Sequence, residues 1–286
     1  MRPPAFSYFA PRTVEEVVKL LAQHDGEARV IAGGQSLVPL LNLRIIRPAA
    51  LIDLNRCPEL DYIEQRGDWL AFGPMTRQLD AAQSAVVRQL CPLVADALEW
   101  TGPVAVRARS TVGGTLAHAD RVAELPAVAI ALDAVMVIEG AGGQREVSAQ
   151  EFFLGDLSTV IEPTEFLREV RFPISAPHAF TNFTEVGVRQ EGVAVVGLAT
   201  YIEAATGEVQ KIALAAMGVD AAPVRLTSAE EILQQQGINP DSIEAATQAA
   251  REQIDPMGDV YTTAAYRKHA VGGLLNRVLH QAARRN

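Results

Sequence analysis

The feature that most constrains this chain is a pair of Gly-Gly sequences, "AGGQS" at 32–36 and "STVGGT" at 110–115, set roughly 80 residues apart in a chain of 286. Consecutive backbone N–H groups converge on an anion only where the backbone can take up conformations that a Cβ obstructs, and glycine removes that obstacle. The first pair follows the apolar run "ARVIA" and precedes a small hydroxyl, Ser36; the second lies between Thr111 and Thr115. One such turn most often serves packing alone. Two of them could clamp a pyrophosphate from opposite sides. Neither G-x-G-x-x-G nor the P-loop lysine pattern occurs in either turn, so a dinucleotide held here is not held in the Rossmann manner.

The other polar constellations are weaker. "HADRVAE" (118–124) gathers His118, Asp120, Arg121 and Glu124. A catalytic zinc or iron generally needs two nearby nitrogen or sulfur ligands, and His24, His178, His269 and His280 each stand alone in the sequence. The segment therefore reads as hydrogen-bond acceptors for a ribityl or ribose hydroxyl, or as a solvated loop, and not as a metal site. No G-x-S-x-G motif and no Cys/His arrangement is legible, and Glu15, Glu16, Glu230 and Glu231 read as solvated helix starts. No substrate-processing centre emerges.

A formal net charge of −9 argues against nucleic acid, which requires a basic face. Two cysteines, Cys57 and Cys91, can build neither a disulfide framework nor a four-thiolate cluster, which fits a reducing compartment. The N-terminus carries two prolines where a signal peptide needs its apolar segment, and the most apolar window, Leu125 to Ile138, contains Asp133 and is shorter than a membrane span. A cytoplasmic protein without a membrane span is the expectation.

Periodicity predicts a helix over "TVEEVVKLLAQHDG", opened by a Thr13–Glu16 capping box, with Val14, Val17, Val18 and Leu21 on one face and Gly26 closing it. Strands are predicted at 28–32, 50–54 and 69–73, and a helical region from about Thr76 to Trp100 broken by Pro92. "PAVAIAL" predicts a turn or two of helix, "AVMVIEG" a strand, "AGGQREVS" a connection and "EPTEFLREVRFP" a strand ending at Pro173. After the proline-punctuated "ISAPHAF" (174–180) come three long strands, the last two joined by a hairpin loop at 205–208. Helices from Thr227 and from Asn239–Pro240, and a terminal one from about Ala264, complete the chain. The reading is α+β, with a first domain over 1–177, itself divided into about 1–55 and 56–177, and a second over 178–286.

The segments "FSYFAPRTVEEVVKLL", "VIAGGQSLVPLLNLR", "LIDLN", "VRARSTVGGTLAHAD", "AELPAVAIALDA", "FFLG", "EFLREVRFP" and "DVYTTAAYRKHAVGGLLNRVL" occur in this order across nearly the whole chain. In this the chain resembles the FAD-binding medium subunits of the molybdenum hydroxylases, the group of aerobic carbon monoxide dehydrogenase and quinoline oxidoreductase, related to the flavin domain of xanthine dehydrogenase. The resemblance implies a vanillyl-alcohol-oxidase-type FAD-binding domain followed by a small antiparallel sheet with helices. It also implies noncovalent FAD in this chain, [2Fe-2S] clusters in a small partner subunit and a molybdopterin cofactor in a large one, assembled as a dimer of heterotrimers. Electrons would run from the molybdenum centre through the clusters to the flavin and on to an external acceptor, with an N-heteroaromatic substrate favoured over carbon monoxide.

Carried onto this sequence, the resemblance implies that Val30, Ile31, Ala32, Gly33, Gly34, Gln35, Ser36 and Leu37 form the first FAD turn, with Gly33, Gly34, Gln35 and Ser36 at the pyrophosphate. It places Thr111, Val112, Gly113, Gly114 and Thr115 in the second turn, Glu124 against the ribityl chain or ring, Leu167 near the flavin, and Thr101 and His118 as further contacts. Three departures stand out. Arg121 replaces a common proline, Val193 falls where relatives often carry an aromatic near the ring, and the cysteine-rich insert of the 4-hydroxybenzoyl-CoA reductase branch has no counterpart. A self-contained flavin oxidase or reductase of the same fold, and a binding module without redox work, are the competing readings.

Overall fold

In the computed structural model, which describes residues 2–187, 192–205 and 208–285, the chain opens with strand β1 (Ser7–Phe9), helix α1 (Val14–His24), strand β2 (Ala28–Ile31), helix α2 (Leu37–Asn42) and strand β3 (Ala50–Asp53). The Thr13 side chain accepts the Glu16 N–H, but the Glu16 carboxylate reaches back to the N–H of Arg12. The cap is therefore one residue longer than a capping box. Val14, Val17 and Leu21 are buried, and Asp25 and Gly26 leave the helix at φ values of 42° and 85°. The three strands form a parallel sheet in the order β1-β3-β2. Because β2 and β3 run side by side, the glycine turn leaving β2 emerges next to the 3-10 turn Leu54–Arg56 that leaves β3.

Next come strands β4 (Ile63–Arg66) and β5 (Trp69–Phe72), then six helices: α3 (Gln78–Gln83), α4 (Ala85–Leu90), α5 (Pro92–Trp100), α6 (Val104–Arg107), α7 (Val112–His118) and α8 (Glu124–Ala131). Strands β6 (Val135–Gly140) and β7 (Gly143–Ser148), helix α9 (Ala149–Phe152), and strands β8 (Phe153–Gly155), β9 (Ser158–Thr159) and β10 (Phe166–Pro173) follow. The larger sheet here is antiparallel, in the order β4-β5-β10-β6-β7. Two expectations are corrected. "AGGQREVS" is not only a connection: Gly140 pairs with Gly143, Gly143 takes the turn at φ 99°, and the rest is strand β7. The second Gly-Gly is not a turn but the first turn of α7, because the Thr111 hydroxyl accepts the Gly114 N–H and so caps a helix there.

The last part holds β11 (Phe180–Gly187), β12 (Ala194–Ala205), β13 (Glu208–Met217) and β14 (Val224–Arg225), an antiparallel sheet in that order, and helices α10 (Thr227–Gln236), α11 (Pro240–Gln253) and α12 (Ala264–Ala283). Both faces of this sheet are covered, which explains its apolar runs. Along β13, Ile212, Leu214 and Ala216 join the cluster built by α10, α11 and α12, whereas Ala213, Ala215 and Met217 join the core around α5 and α8. Every residue of α8 is buried, as a helix packed against β12–β14 on one side and against α5, α7 and α9 on the others must be. Asn239 and Ser242 form a full capping box on α11. Glu230 corrects another expectation: it is not solvated, but accepts the Leu214 N–H at 2.6 Å and ion-pairs with Arg225. The hairpin joins Ala205 to Glu208 as expected, with Thr206 and Gly207 outside the described residues. No helix among the described residues is long and apolar enough to cross a membrane.

Candidate functional site

The two glycine sequences meet. A Cβ built on Gly33 would lie 2.2 Å from the carbonyl oxygen of Arg109 and 2.9 Å from Cα of Ser110, so the first turn rests directly on the residues leading into α7. Gly113 is set in the same way against Pro74, whose Cα would be 2.5 Å from an added Cβ. The N–H of Gly113 donates to the Pro74 carbonyl, that of Val112 to Thr76, and that of Gln78 to Ser110. Glycine is thus required here by backbone against backbone. Gly34 has a different reason, its φ of 75°, a conformation that side chains disfavour.

Over this junction opens a cleft of about 580 Å3, within the range of cofactor sites. Of the residues expected from the sequence, Val30, Ala32, Gly33, Gly34, Gln35, Ser36, Leu37, Thr111, Gly113, Gly114, Thr115, His118 and Leu167 line it. Ile31 and Val112 do not: Ile31 packs its side chain toward Gly34, and Val112 is buried in the core. The opposite wall, Leu157 to Thr159 and Ile161 to Phe166 apart from Thr164, carries no chemical mark in the sequence and was not anticipated beyond Leu167. A bond from the Leu157 N–H to the Ala119 carbonyl, 2.9 Å, draws it to the C-terminal end of α7.

The cleft's electrostatics decide what it can hold. No lysine lines it, and the Arg29 guanidinium is turned back to the carbonyls of Gly26 and Ala28. Glu165 lines the far wall but is paired with Arg145 at 2.7 Å, and that guanidinium holds its carboxyl below the usual range. Among the described residues, the N–H groups of Gly33, Gly34, Gln35, Ser36 and Leu37 find no protein acceptor. At the start of α7 the N–H groups of Val112, Gly113, Gly114 and Thr115 are all engaged within the protein. Five successive N–H groups, four in the turn and one opening α2, are thus open to an anion, the kind of donor run from which anion-binding nests are built. The two glycine segments are therefore unequal: the first offers donors, and the start of α7 acts as the platform that holds them. The Thr115 hydroxyl accepts from Gln78 Nε2 at 2.8 Å, which leaves its own proton free to donate.

Thr101 and Glu124 come together outside that lining. Thr101 donates its hydroxyl proton to Glu124 at 2.9 Å, and Glu124, only 9 % exposed, has its carboxyl pushed up to about 7 by burial. Glu185 on β11 was not singled out in the sequence; burial, with the Glu124 charge as a second cause, pushes it up to about 8. Arg121 leans on Asp156, its Nε 3.9 Å from the carboxylate, and its carbonyl accepts the Gly218 N–H. Val193 is 76 % exposed. Arg189 to Glu191, before it, lie outside the described residues.

Two family models match the chain. "FAD binding domain in molybdopterin dehydrogenase" covers residues 4–175, and "CO dehydrogenase flavoprotein C-terminal domain" covers 181–282. The chain is 35% identical to the 6-hydroxypseudooxynicotine dehydrogenase complex subunit alpha of Paenarthrobacter nicotinovorans, over 100% of this chain and 97% of that one. It superposes on a chain of carbon monoxide dehydrogenase from Hydrogenophaga pseudoflava with a TM-score of 0.97 at 35% identity, covering 100% of this chain and 99% of the other. Against a chain of quinoline 2-oxidoreductase from Pseudomonas putida 86 the TM-score is 0.94 at 34% identity, with 99% of each covered.

Proposed function

This chain belongs to the FAD-binding medium subunits of the molybdenum hydroxylases, and from that premise we propose that it relays electrons from the [2Fe-2S] clusters of a small partner subunit to an external acceptor. The observation that carries the reading is the cleft over the glycine junction, with five free N–H donors and no lysine, which suits the pyrophosphate of FAD bound through backbone. FAD, when bound, supplies a group able to take up and release electrons singly or in pairs. The chain's own part is to bind and orient it. Gly33 to Leu37 cradle the pyrophosphate, the Thr115 hydroxyl adds a donor, and Leu167 with its neighbours on β10 forms the apolar wall. Glu124, Thr101 and His118 are assigned to the ribityl and ring end.

Substrate chemistry is assigned to a large molybdopterin subunit, the whole being a dimer of heterotrimers in the cytoplasm. An N-heteroaromatic substrate is favoured because the names of two of the three relatives above, a hydroxypseudooxynicotine dehydrogenase and a quinoline oxidoreductase, carry such rings. Two measurements test the reading. The purified chain should bind FAD noncovalently with a flavin absorbance spectrum, and the bound flavin should be reduced by substrate only when the two partner subunits are present. A chain that stays colourless with added FAD, or that turns over substrate alone, would overturn it.

A further inference from the structure

We propose that Asn55 and Arg77, neither of which touches the cleft, are positioning residues that lock the two glycine loops into the geometry that binds FAD. The inference rests on the FAD reading above. Asn55 lies in the 3-10 turn after β3, and Arg77 immediately precedes α3, so they come from the two units whose junction forms the cleft. Asn55 Nδ2 donates to the carbonyl of Ala32, the residue before Gly33, at 2.9 Å. Arg77 donates to Asn55 Oδ1 at 2.5 Å through one nitrogen, and through the other to the Arg109 carbonyl at 2.6 Å. That carbonyl oxygen is the atom on which Gly33 rests. The links therefore close a ring, Ala32–Asn55–Arg77–Arg109–Gly33, around the point where the loops touch.

The Asn55 amide is itself fixed from behind. Asp53 Oδ1 accepts both the Asn55 N–H, at 2.9 Å, and Nδ2, at 2.5 Å, while the other Asp53 oxygen accepts from Tyr8. The planar guanidinium suits its task, because two nitrogens at fixed separation hold two acceptors at a fixed distance, which an ammonium cannot do. Without the ring, no hydrogen bond among the described residues ties the first turn to the α7 side, which it then meets by packing at Gly33 and between Ala32 and Gly114, and its five free donors lose their fixed position relative to Thr115. Preorganised donors bind more tightly because ordering them is not left to the ligand.

The test is a double-mutant cycle on FAD affinity in the full chain, using Asn55→Ala, Arg77→Ala and the double variant, with Arg77→Lys as the conservative variant. FAD dissociation is read by flavin fluorescence, and the unfolding midpoint of each apoprotein is read separately. We expect each single variant to weaken FAD about tenfold, the scale of one charge-assisted bond, and the double variant to lose little more than either single one. Arg77→Lys should recover part of the affinity, and Arg88→Ala, which removes an exposed ion pair with Glu99 elsewhere, should change nothing. Additive losses in the double variant, or losses that track a fall in the apoprotein midpoint, would show residues that only support the fold and would overturn the inference. Variants that bind FAD as tightly as the wild type overturn it while leaving the FAD reading intact; a wild type that binds no FAD overturns both.

Discussion

Replacing Gly33 with alanine should separate the two glycine loops with little effect on the rest of the fold. Gly33 has no positive φ to violate, so the whole consequence lies in its new Cβ. That atom would stand 2.2 Å from the Arg109 oxygen and 2.8 Å from its carbon, where ordinary contact begins at 3.4 Å, so the loops must part by about 1.2 Å. Neither neighbour is the end of a flexible side chain, and the strain cannot be relieved by a rotamer change. Overpacking of this kind costs about 1–3 kcal/mol. If the apoprotein relieves it by opening the junction, the cost returns when FAD requires closure, and affinity falls about fivefold to 150-fold. The assay is fluorescence titration of apoprotein with FAD, beside an unfolding curve of the same sample. Gly142→Ala is the control, since an added Cβ there meets nothing within 4 Å. Unchanged FAD affinity in a folded Gly33→Ala variant would refute the claim that contact between the loops shapes the site.

Three other outcomes follow from the same geometry. Gly34→Ala forces a side chain into φ 75° and should lower the stability of the FAD-saturated protein by about 1–2 kcal/mol; an unchanged denaturant midpoint would show that the turn does not need that conformation. Glu185→Gln should gain stability relative to the wild type as pH rises. The folded carboxyl titrates at about 8, above its ordinary 4.5, so the wild type binds the proton more tightly when folded and loses stability as pH climbs through that window. Denaturant curves on either side of it would expose the error if the difference between the two proteins is constant. Arg267→Ala should destabilise by about 1–3 kcal/mol, because Arg267 is buried and its loss strands the carbonyls of Val195 and Gly218, whereas the Asp259 carboxylate stays hydrated and keeps its bonds from Tyr261 and Thr262; an unchanged urea-unfolding midpoint would contradict that accounting.

Much of this molecule was legible because its signals are local. The run "ARVIA" before a Gly-Gly pair, Thr13 with Glu16, and Asn239 before Pro240 each mark an element end through bonds made within a few residues. The second Gly-Gly misled for an equally local reason. Glycine suggests a turn, and only the Thr111 hydroxyl bonded to Gly114 reveals a helix start. The long-range features left little trace. Gly33 and Gly113 looked alike in the sequence as ligand contacts, yet each is shaped by a partner backbone, Arg109 and Pro74, that no spacing rule identifies. Glu230 resembled a solvated helix start because its cation, Arg225, lies on the preceding strand. The cleft's far wall, from Leu157 onward, is built of ordinary residues that matter only because a fold brings them opposite the glycines.

The central claim is that the free N–H groups of Gly33 to Leu37 hold the FAD pyrophosphate while the α7 side serves as their platform. Amide hydrogen exchange of the apoprotein, with and without saturating FAD, tests it directly. FAD should slow exchange most at residues 33–37, and change it little at 112–115, whose N–H groups already have acceptors in the protein. Bound FAD that leaves 33–37 exchanging as fast as before would contradict the account.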